Sequence, residues 1–238
     1  MSAAGDIWVY LSASPLLHLT LTLIAYQIGD RIYRRFGMNP LLNPVVIAIV
    51  ILVPLLVVTD TDYDSYFDGA QFVHFLLGPA TVALAIPLFN QIDRVRRSAL
   101  AILAAILAGS LAAAGSAAAI VWLFGADTVL MASIAPKSVT TPIAMGIAEK
   151  LGGLPSLTAV LVILTGVLGA MLGPPLLNLM RIRDWRARGL AIGVASHGIG
   201  TARALQVNEV AGAFSGLAMG LNALATAILL PLIWRWVF

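Results

Sequence analysis

Cysteine is absent from the 238 residues, and only 11% of them are charged. Without thiols the chain can form neither disulfides nor thiolate metal sites. The charged share is well below the roughly 25% of ordinary soluble domains. Because 60% of the residues are hydrophobic, a water-soluble fold could not bury all of the apolar surface. The composition predicts an integral membrane protein, and the net charge of +3 gives no indication of a nucleic-acid partner.

Apolar runs near the ~20 residues that cross a bilayer recur along the chain. We expect membrane segments at residues 7–28, 40–58, 72–90, 98–124, 156–180, 189–207 and 212–236, with a less regular apolar stretch at 128–149. Segment 7–28 lacks the basic N-terminal region of a signal peptide. We therefore expect it to be a transmembrane helix that is retained in the mature protein.

The predicted fold is all-α: a polytopic transmembrane helical bundle of about seven to eight membrane segments. It includes broken or re-entrant elements and an inverted repeat. We expect one integral membrane domain over residues 1–238. Residues 1–71 are predicted as peripheral or scaffold helices, and residues 72–238 as a core that is broken at 128–149 and 189–207.

Basic residues are concentrated in three clusters, which the positive-inside rule places in the cytoplasm. The clusters are Arg31, Arg34, Arg35; Arg94, Arg96, Arg97; and Arg181, Arg183, Arg186, Arg188. Segment 156–180 ends beside the third cluster, in the cytoplasm, so it must begin outside. The stretch 128–149 also begins outside. The stretch 128–149 is therefore predicted to enter and leave on one face.

The sequence inside that stretch agrees with a break. Pro136–Pro142 contains two prolines and three hydroxyl residues, so it cannot continue as an uninterrupted helix. Irregular backbone at membrane depth persists only where protein or a water-filled cavity satisfies it.

An internal repeat appears at a shift of 57 positions, which places Pro79-Ala80-Thr81-Val82 on Pro136-Lys137-Ser138-Val139 and Gly109 on Gly166. The arginine clusters make the two copies run in opposite directions, and such paired, interrupted segments indicate a transporter site near the midplane. The predicted structural breaks are Pro79, Pro87, Pro136, Pro142, Gly198 and Gly200.

Lys137 lies between apolar stretches, where a lysine costs at least ~2.5 to 3.5 kcal/mol at a helix centre. One interpretation is a side chain that reaches to the surface. The other is a cationic anchor for a substrate carboxylate, flanked by Ser138, Thr140 and Thr141.

A second polar stretch contains Ser196, His197, Thr201 and Arg203. Arg203 is either a second carboxylate anchor or the ion-pair partner of Glu209. His197 either hydrogen-bonds substrate or takes up a coupled proton, or it is a satisfied interior histidine. Three alternatives stay open for Glu209: partner of Arg203, proton carrier, or ordinary loop acid. Asn222 is a further candidate for substrate binding.

Catalysis is not expected. Ser196 and His197 are adjacent and would point about 100° apart on a helix. The sequence contains no Gly-x-Ser-x-Gly elbow, metal-ligand pair or glycine-rich phosphate loop. We therefore expect no enzyme activity, no cofactor and no metal.

Three motifs carry a family resemblance: Ala135–Ala144, Ser196–Ala204 and Glu209–Met219. In these motifs the chain resembles the LrgB/CidB family, and the resemblance extends over nearly the whole length of the chain. For bacterial members the resemblance implies antiholin-like regulation of murein hydrolases beside a small LrgA/CidA-like membrane partner. For plastid members it implies glycolate and glycerate exchange, and some bacterial systems are tied to pyruvate.

The buried cations favour a secondary carrier that moves a small organic anion by alternating access, either proton-coupled or exchanging. The resemblance narrows the substrate to small monocarboxylates of the glycolate, glycerate, lactate or pyruvate class. The alternative is a holin- or antiholin-like protein that regulates murein hydrolase activity and cell lysis. We expect a homo-oligomer, a dimer, in the bilayer of the bacterial inner membrane, and no nucleic-acid partner.

Overall fold

A computed structural model of the chain describes residues 14–39, 42–76, 79, 82–83, 86 and 89–237. These residues form helices and connecting turns, and no strand occurs among them. The chain divides into two compact units, residues 1–83 and residues 84–238. The prediction of an all-α fold is confirmed.

The first unit contains α1 (Pro15–Arg35), α2 (Pro44–Val58) and α3 (Tyr63–Phe75). Ala25 of α1 packs with Ala48 and Leu52 of α2 in a small buried cluster. The Thr22 and Tyr66 hydroxyls, 2.9 Å apart, connect α1 to α3. Small and hydroxyl side chains therefore hold these three helices together.

The membrane segments predicted in this unit agree only in part with the helices observed. α2 agrees with residues 40–58. α1 continues beyond residue 28 because Arg34 Nε donates to Asp30 Oδ2 at 2.7 Å, an i,i+4 pair that supports an exposed helix turn. Much of the segment 72–90, including the break at Pro87, lies outside the described residues. Pro79 is described, as a helical and exposed residue.

The second unit contains seven helices in the part that the structure describes. They are α4 (Ile92–Arg97), α5 (Ala99–Leu123), α6 (Thr128–Ile134), α7 (Thr141–Lys150), α8 (Pro155–Leu179), α9 (Trp185–Val207) and α10 (Glu209–Val237). Three of them, α5, α8 and α10, are long and apolar enough to cross a membrane. They coincide with the segments predicted at 98–124, 156–180 and 212–236.

Residues 128–150 form a hairpin, here named hairpin A. Its helices α6 and α7 have 7 and 10 residues. Helices of that length span about 10 and 15 Å, so neither crosses the ~30 Å core of a bilayer. The chain returns to α6 after α7, since Ser133 Oγ accepts a hydrogen bond from Leu154 N at 2.8 Å. The broken element predicted at 128–149 is present as this hairpin of two short helices.

α9 also folds back on itself, and residues 185–207 are here named hairpin B. Ile192 and Ala204, twelve positions apart, belong to one buried cluster, whereas a straight helix would separate them by about 18 Å. A Cβ built on Gly200 would lie 3.3 Å from Ile192 O. Residues 189–207 therefore do not form the straight membrane-crossing span that was predicted, whereas the break predicted in the same residues is present.

The reversal occurs at His197, whose φ of 41° and ψ of −135° lie outside the helical region. The first arm, residues 185–196, runs to His197, and the second arm, residues 198–207, returns. Gly200 lets the two arms approach closely, because a side chain there would meet Ile192 and Ser196. Apolar composition alone does not distinguish this hairpin from a straight span, although the glycines, Gly198 and Gly200 among them, indicated a break.

The two hairpins enter the second unit from opposite ends. We name the end where α5 meets α6 the aspartate end, after Asp127, and the end where α8 meets α9 the arginine end. α10 connects them: Gly189 at the base of hairpin B lies against the Ala211 carbonyl. At the other end of α10, Trp234 packs against the same buried cluster as Leu151, which follows hairpin A.

This arrangement agrees with an inverted repeat. α5 and α8 have 25 residues each, and each is followed by a hairpin. Hairpin A begins at Thr128 and hairpin B at Trp185, which differ by the predicted shift of 57 positions. α5 ends at the aspartate end and α8 begins there, so the two copies run in opposite directions. The matching of Pro79–Val82 to Pro136–Val139 lies largely outside the described residues.

Single cysteines provide a test of hairpin B, because the chain has no cysteine of its own. In a sealed, oriented membrane, Arg183→Cys and Gln206→Cys should react with an impermeant maleimide from the same face. Lys150→Cys, at the end of hairpin A, should react only from the opposite face. Reaction of Arg183→Cys and Gln206→Cys from different faces would restore the straight span.

Candidate functional site

One buried amide joins the tips of the two hairpins. Asn222, near the middle of α10, is 1% exposed. Its Nδ2 donates to Ser138 O at the tip of hairpin A and to Val194 O near the tip of hairpin B, both at 3.2 Å. The structure therefore brings together the two interrupted stretches identified in the sequence.

The tip of hairpin A is built from single turns. Pro136 has no N–H, so α6 cannot continue regularly through it. Lys137 N donates to Ile134 O at 3.0 Å, and Val139 N donates to Pro136 O at 3.2 Å. α7 begins after the extended residue Thr140, with Pro142 in its first turn, where a missing N–H is tolerated. Both predicted proline breaks have this local explanation.

Lys137 is partly buried at this tip. Its Nζ donates to Ser138 Oγ at 3.4 Å, a long and neutral hydrogen bond. Among the described residues no aspartate or glutamate lies within 4 Å of Nζ. Thr140 and Thr141 are partly buried beside it in sequence. An ammonium in this position is not compensated by a carboxylate of the described chain.

The tip of hairpin B is held by hydrogen bonds of His197, which is 4% exposed. The Val162 carbonyl of α8 lies 2.9 Å from His197 Nε2. A carbonyl oxygen only accepts, so Nε2 carries a hydrogen and donates it. Thr201 Oγ1 donates to His197 O at 2.8 Å and lies 2.9 Å from Ser215 Oγ. Thr201 therefore has a structural role in this hairpin.

Two fully buried polar atoms near the tips have no hydrogen-bond partner among the described residues. They are Asn222 Oδ1 and Ser196 Oγ. Such atoms cost free energy of about 1 to 3 kcal/mol each unless a partner is supplied. Their position beside interrupted backbone makes a bound ligand a natural partner.

Arg203 lies elsewhere, on the second arm of hairpin B. Its Nη1 donates to Gln206 Oε1 at 3.4 Å. It lines a cavity at the arginine end together with Gly200, and Lys137 is not among the described residues of that lining. The sequence predicted Lys137 and Arg203 in one substrate site. The structure brings Ser138 and Val194 together through Asn222, whereas Arg203 lines the cavity at the arginine end.

Glu209 is exposed in the first turn of α10. An acidic residue there is stabilised by the helix dipole. Asn208 caps the same turn, since its Oδ1 accepts from Val210 N at 3.0 Å and from Ala211 N at 3.2 Å. This position explains Glu209 structurally, and its proton-coupling role stays a prediction.

Metal binding has no support in the part of the chain that the structure describes. No group of three or more His, Cys, Asp or Glu residues lies there in an arrangement that could hold a metal ion.

Sequence reasoning missed residues that position the tips. Ser133 O accepts from Thr158 Oγ1 at 2.9 Å, which fixes hairpin A against α8. Gly166 of α8 lies against the His197 ring, where a Cβ would be 2.7 Å from Cε1. The only sequence signal for Gly166 was its match to Gly109 in the repeat.

These features define a polytopic helical membrane protein in which two hairpins enter from opposite ends and meet inside the bundle. The model of the LrgB-like family matches residues 22–236, and the chain belongs to this family. The resemblance stated from the motifs is confirmed.

Named relatives cover nearly the whole chain. The uncharacterized proteins YxaC and YwbG of Bacillus subtilis (strain 168) are 39% and 37% identical, over 92% and 91% of this chain and 95% and 96% of their own lengths. The antiholin-like protein LrgB of Bacillus mycoides (strain KBAB4) is 32% identical over 92% of this chain and 95% of its own length. No solved structure matches the chain.

The contact between Gly166 and His197 predicts a specific instability. Gly166→Ala should displace the His197 ring and lower the free energy of unfolding by about 1 to 3 kcal/mol, the usual cost of overpacking. Gly115→Ala in α5 is the control, because no atom lies within 4 Å of the added Cβ. It should be neutral or stabilising by up to about 1 kcal/mol. Thermal unfolding in detergent measures both, and equal melting would contradict the packing described.

Proposed function

We propose that this protein is a secondary carrier for small monocarboxylates. The observation that carries the proposal is the pair of hydrogen bonds from Asn222 Nδ2 to Ser138 O and Val194 O. Interrupted helices that meet near the membrane midplane are the arrangement in which inverted-repeat transporters bind substrate. A static scaffold needs no irregular backbone at that depth, where each unsatisfied group is costly.

The ligand is an anion because the site is cationic. Lys137 supplies an ammonium, and Ser138, Thr140 and Thr141 supply hydroxyls on the same tip. A carboxylate bound there compensates the charge of Lys137, and the hydroxyls of the tip can hydrogen-bond a hydroxyl or keto oxygen of the same ligand. This chemistry fits the glycolate, glycerate, lactate or pyruvate class.

Proton coupling is assigned to His197. Nε2 already carries a hydrogen, which it donates to the Val162 carbonyl. Nδ1 is therefore the ring nitrogen that takes up a coupled proton. Alternating access follows from the opposite origins of the hairpins: movement of hairpin A opens the site toward the aspartate end, and movement of hairpin B opens it toward the arginine end. Exchange of one anion for another uses the same two movements without the proton.

The second candidate is an antiholin-like protein that regulates murein hydrolase activity and lysis. Its support is the name of relatives such as the antiholin-like protein LrgB of Bacillus mycoides and of Bacillus cereus. In this candidate the LrgA/CidA-like small membrane protein is the working partner, and the location is the inner membrane. A homo-oligomer is compatible with both candidates.

Uptake into liposomes tests the carrier and separates it from the antiholin-like alternative. Purified full-length protein should take up labelled lactate, glycolate or pyruvate with saturation, and an imposed pH gradient should change the rate. The matched neutral amide lactamide should neither enter through the protein nor compete. Uptake that does not saturate, or equal permeation of acid and amide, would contradict the carrier.

Two lysines of hairpin A provide a matched pair of variants. Lys137→Met should reduce substrate affinity about tenfold to a hundredfold, because a charge-assisted hydrogen bond contributes roughly 1.5 to 3 kcal/mol. Lys150→Met removes the same charge from the exposed end of α7 and should leave affinity unchanged. Concentration dependence of lactate uptake measures the effect, and parental affinity in Lys137→Met would place the anion elsewhere.

A further inference from the structure

Asn222 uses only one half of its side-chain amide within the described residues. Nδ2 donates both of its hydrogens, one to Ser138 O and one to Val194 O. Oδ1 is fully buried and accepts no hydrogen bond from the part of the chain that the structure describes. Buried side-chain acceptors in folded proteins are nearly always satisfied, so this unpartnered oxygen calls for an explanation.

The two carbonyls fix the orientation of the amide. A side-chain amide can in principle adopt the opposite orientation, in which its oxygen and nitrogen exchange places. In that orientation Oδ1 would face Ser138 O and Val194 O, which can only accept, and no hydrogen would lie between the three oxygens. The nitrogen of Asn222 is therefore held toward the hairpin tips, and the oxygen is the atom left without a partner.

The chemistry of an amide oxygen limits what can bind to it. Oδ1 can only accept, so its partner must carry a hydrogen. The ionised carboxylate of a substrate carries none. Lys137 Nζ donates instead to Ser138 Oγ. A hydroxyl elsewhere on the ligand has the required hydrogen, whereas a keto oxygen does not.

Room for such a group lies along the same face of α10. Met219 precedes Asn222 by three positions, so their side chains are neighbours on that face. Gly198, the first residue of the second arm of hairpin B, faces Met219. A Cβ built on Gly198 would have only Met219 Sδ near it, at 3.8 Å. Space is therefore left between this face of α10 and the tip of hairpin B.

The cationic side chain of hairpin A lies on the other side of the same contact. Lys137 directly precedes Ser138, the residue whose carbonyl oxygen binds Asn222. In a 2-hydroxy acid the carboxylate and the hydroxyl are on adjacent carbons. One small ligand can therefore present its carboxylate to Lys137 and its hydroxyl to Asn222.

We propose that Asn222 Oδ1 determines specificity by accepting a hydrogen bond from the hydroxyl of a 2-hydroxy monocarboxylate. This inference rests on the proposed carrier function, and it adds the group that recognises the part of the ligand beyond the carboxylate. A keto acid of the same size would place oxygen lone pairs against Oδ1 and leave it unsatisfied. The protein should therefore prefer lactate and glycolate to pyruvate.

Ligands that differ in one group test the inference in the unaltered protein. 2-Chloropropionate resembles lactate in size and charge but has no hydrogen to donate, and pyruvate has a keto oxygen in place of the hydroxyl. Each competes with labelled lactate for uptake into liposomes, and each is also tested for the rise in melting temperature of the protein in detergent. Both should bind about tenfold to a hundredfold more weakly than lactate, because a buried acceptor stays unsatisfied.

Two variants of α10 separate recognition from a structural effect. The quantity compared is the ratio of the affinities for lactate and 2-chloropropionate, which a loss of stability alone does not change. Asn222→Leu should abolish the preference for lactate. Thr226→Val removes a buried hydroxyl one turn further along α10, where it lies 2.8 Å from Ser110 Oγ, and should keep the parental ratio. If Asn222→Leu does not fold, the ligand series in the parent decides alone.

The outcomes separate this inference from the carrier function. If lactate, pyruvate and 2-chloropropionate are taken up or compete equally, Oδ1 has another partner, such as a buried water, and the inference is overturned while the carrier stands. A folded Asn222→Leu that keeps the parental preference overturns it as well. If lactate stabilises the protein more than the other two ligands do but none is taken up, the carrier fails and recognition by Asn222 stands. If no ligand binds, both are overturned.

Discussion

Backbone carbonyls exposed by interrupted helices need hydrogen-bond donors, and inside a bilayer water does not supply them. In this protein Asn222 Nδ2 supplies two at once, to Ser138 O and Val194 O. The position of each hairpin depends on that amide. Because Asn222 lies near the middle of α10, both tips come to the middle of the bundle. Irregular backbone, a buried amide and a lysine are found together there in the part of the chain that the structure describes.

The long helices provide the space that the hairpins need. α8 presents Gly166 and Gly169 to the tip of hairpin B, and α10 packs along both of its arms. Away from the tips, a buried hydrogen bond between Ser110 and Thr226 connects α5 to α10. Lys137 is at the tip of hairpin A, whereas Arg203 is on the second arm of hairpin B.

Hairpin A was predictable because prolines and charge alternation both identify it. Two prolines remove backbone donors, and the arginine clusters require the stretch to return to its own face. For hairpin B a break was predicted within residues 189–207, at Gly198 and Gly200, but the reversal of the chain was not, since the arms are ordinary helix formers and the reversal is a single residue with positive φ. α8 and α10 hold His197 in that conformation: α8 contacts it directly through the Val162 carbonyl, and α10 acts through Thr201, whose hydroxyl lies between His197 O and Ser215. The two partners of Asn222 lie 84 and 28 positions away in sequence, so no local pattern identifies them.

In the proposed carrier, a single amide shared by the two hairpins would ensure that they open one at a time. When one hairpin moves away from Asn222, one carbonyl loses its donor, and the other hairpin remains attached. If both hairpins moved together, two buried carbonyls would be left unsatisfied, at roughly 1 to 3 kcal/mol each. The doubly open state would be rarer than either singly open state by about tenfold for each 1.4 kcal/mol. If the protein is a carrier that opens its two sides in turn, the bilayer that contains it would stay impermeable to protons and small ions throughout the cycle.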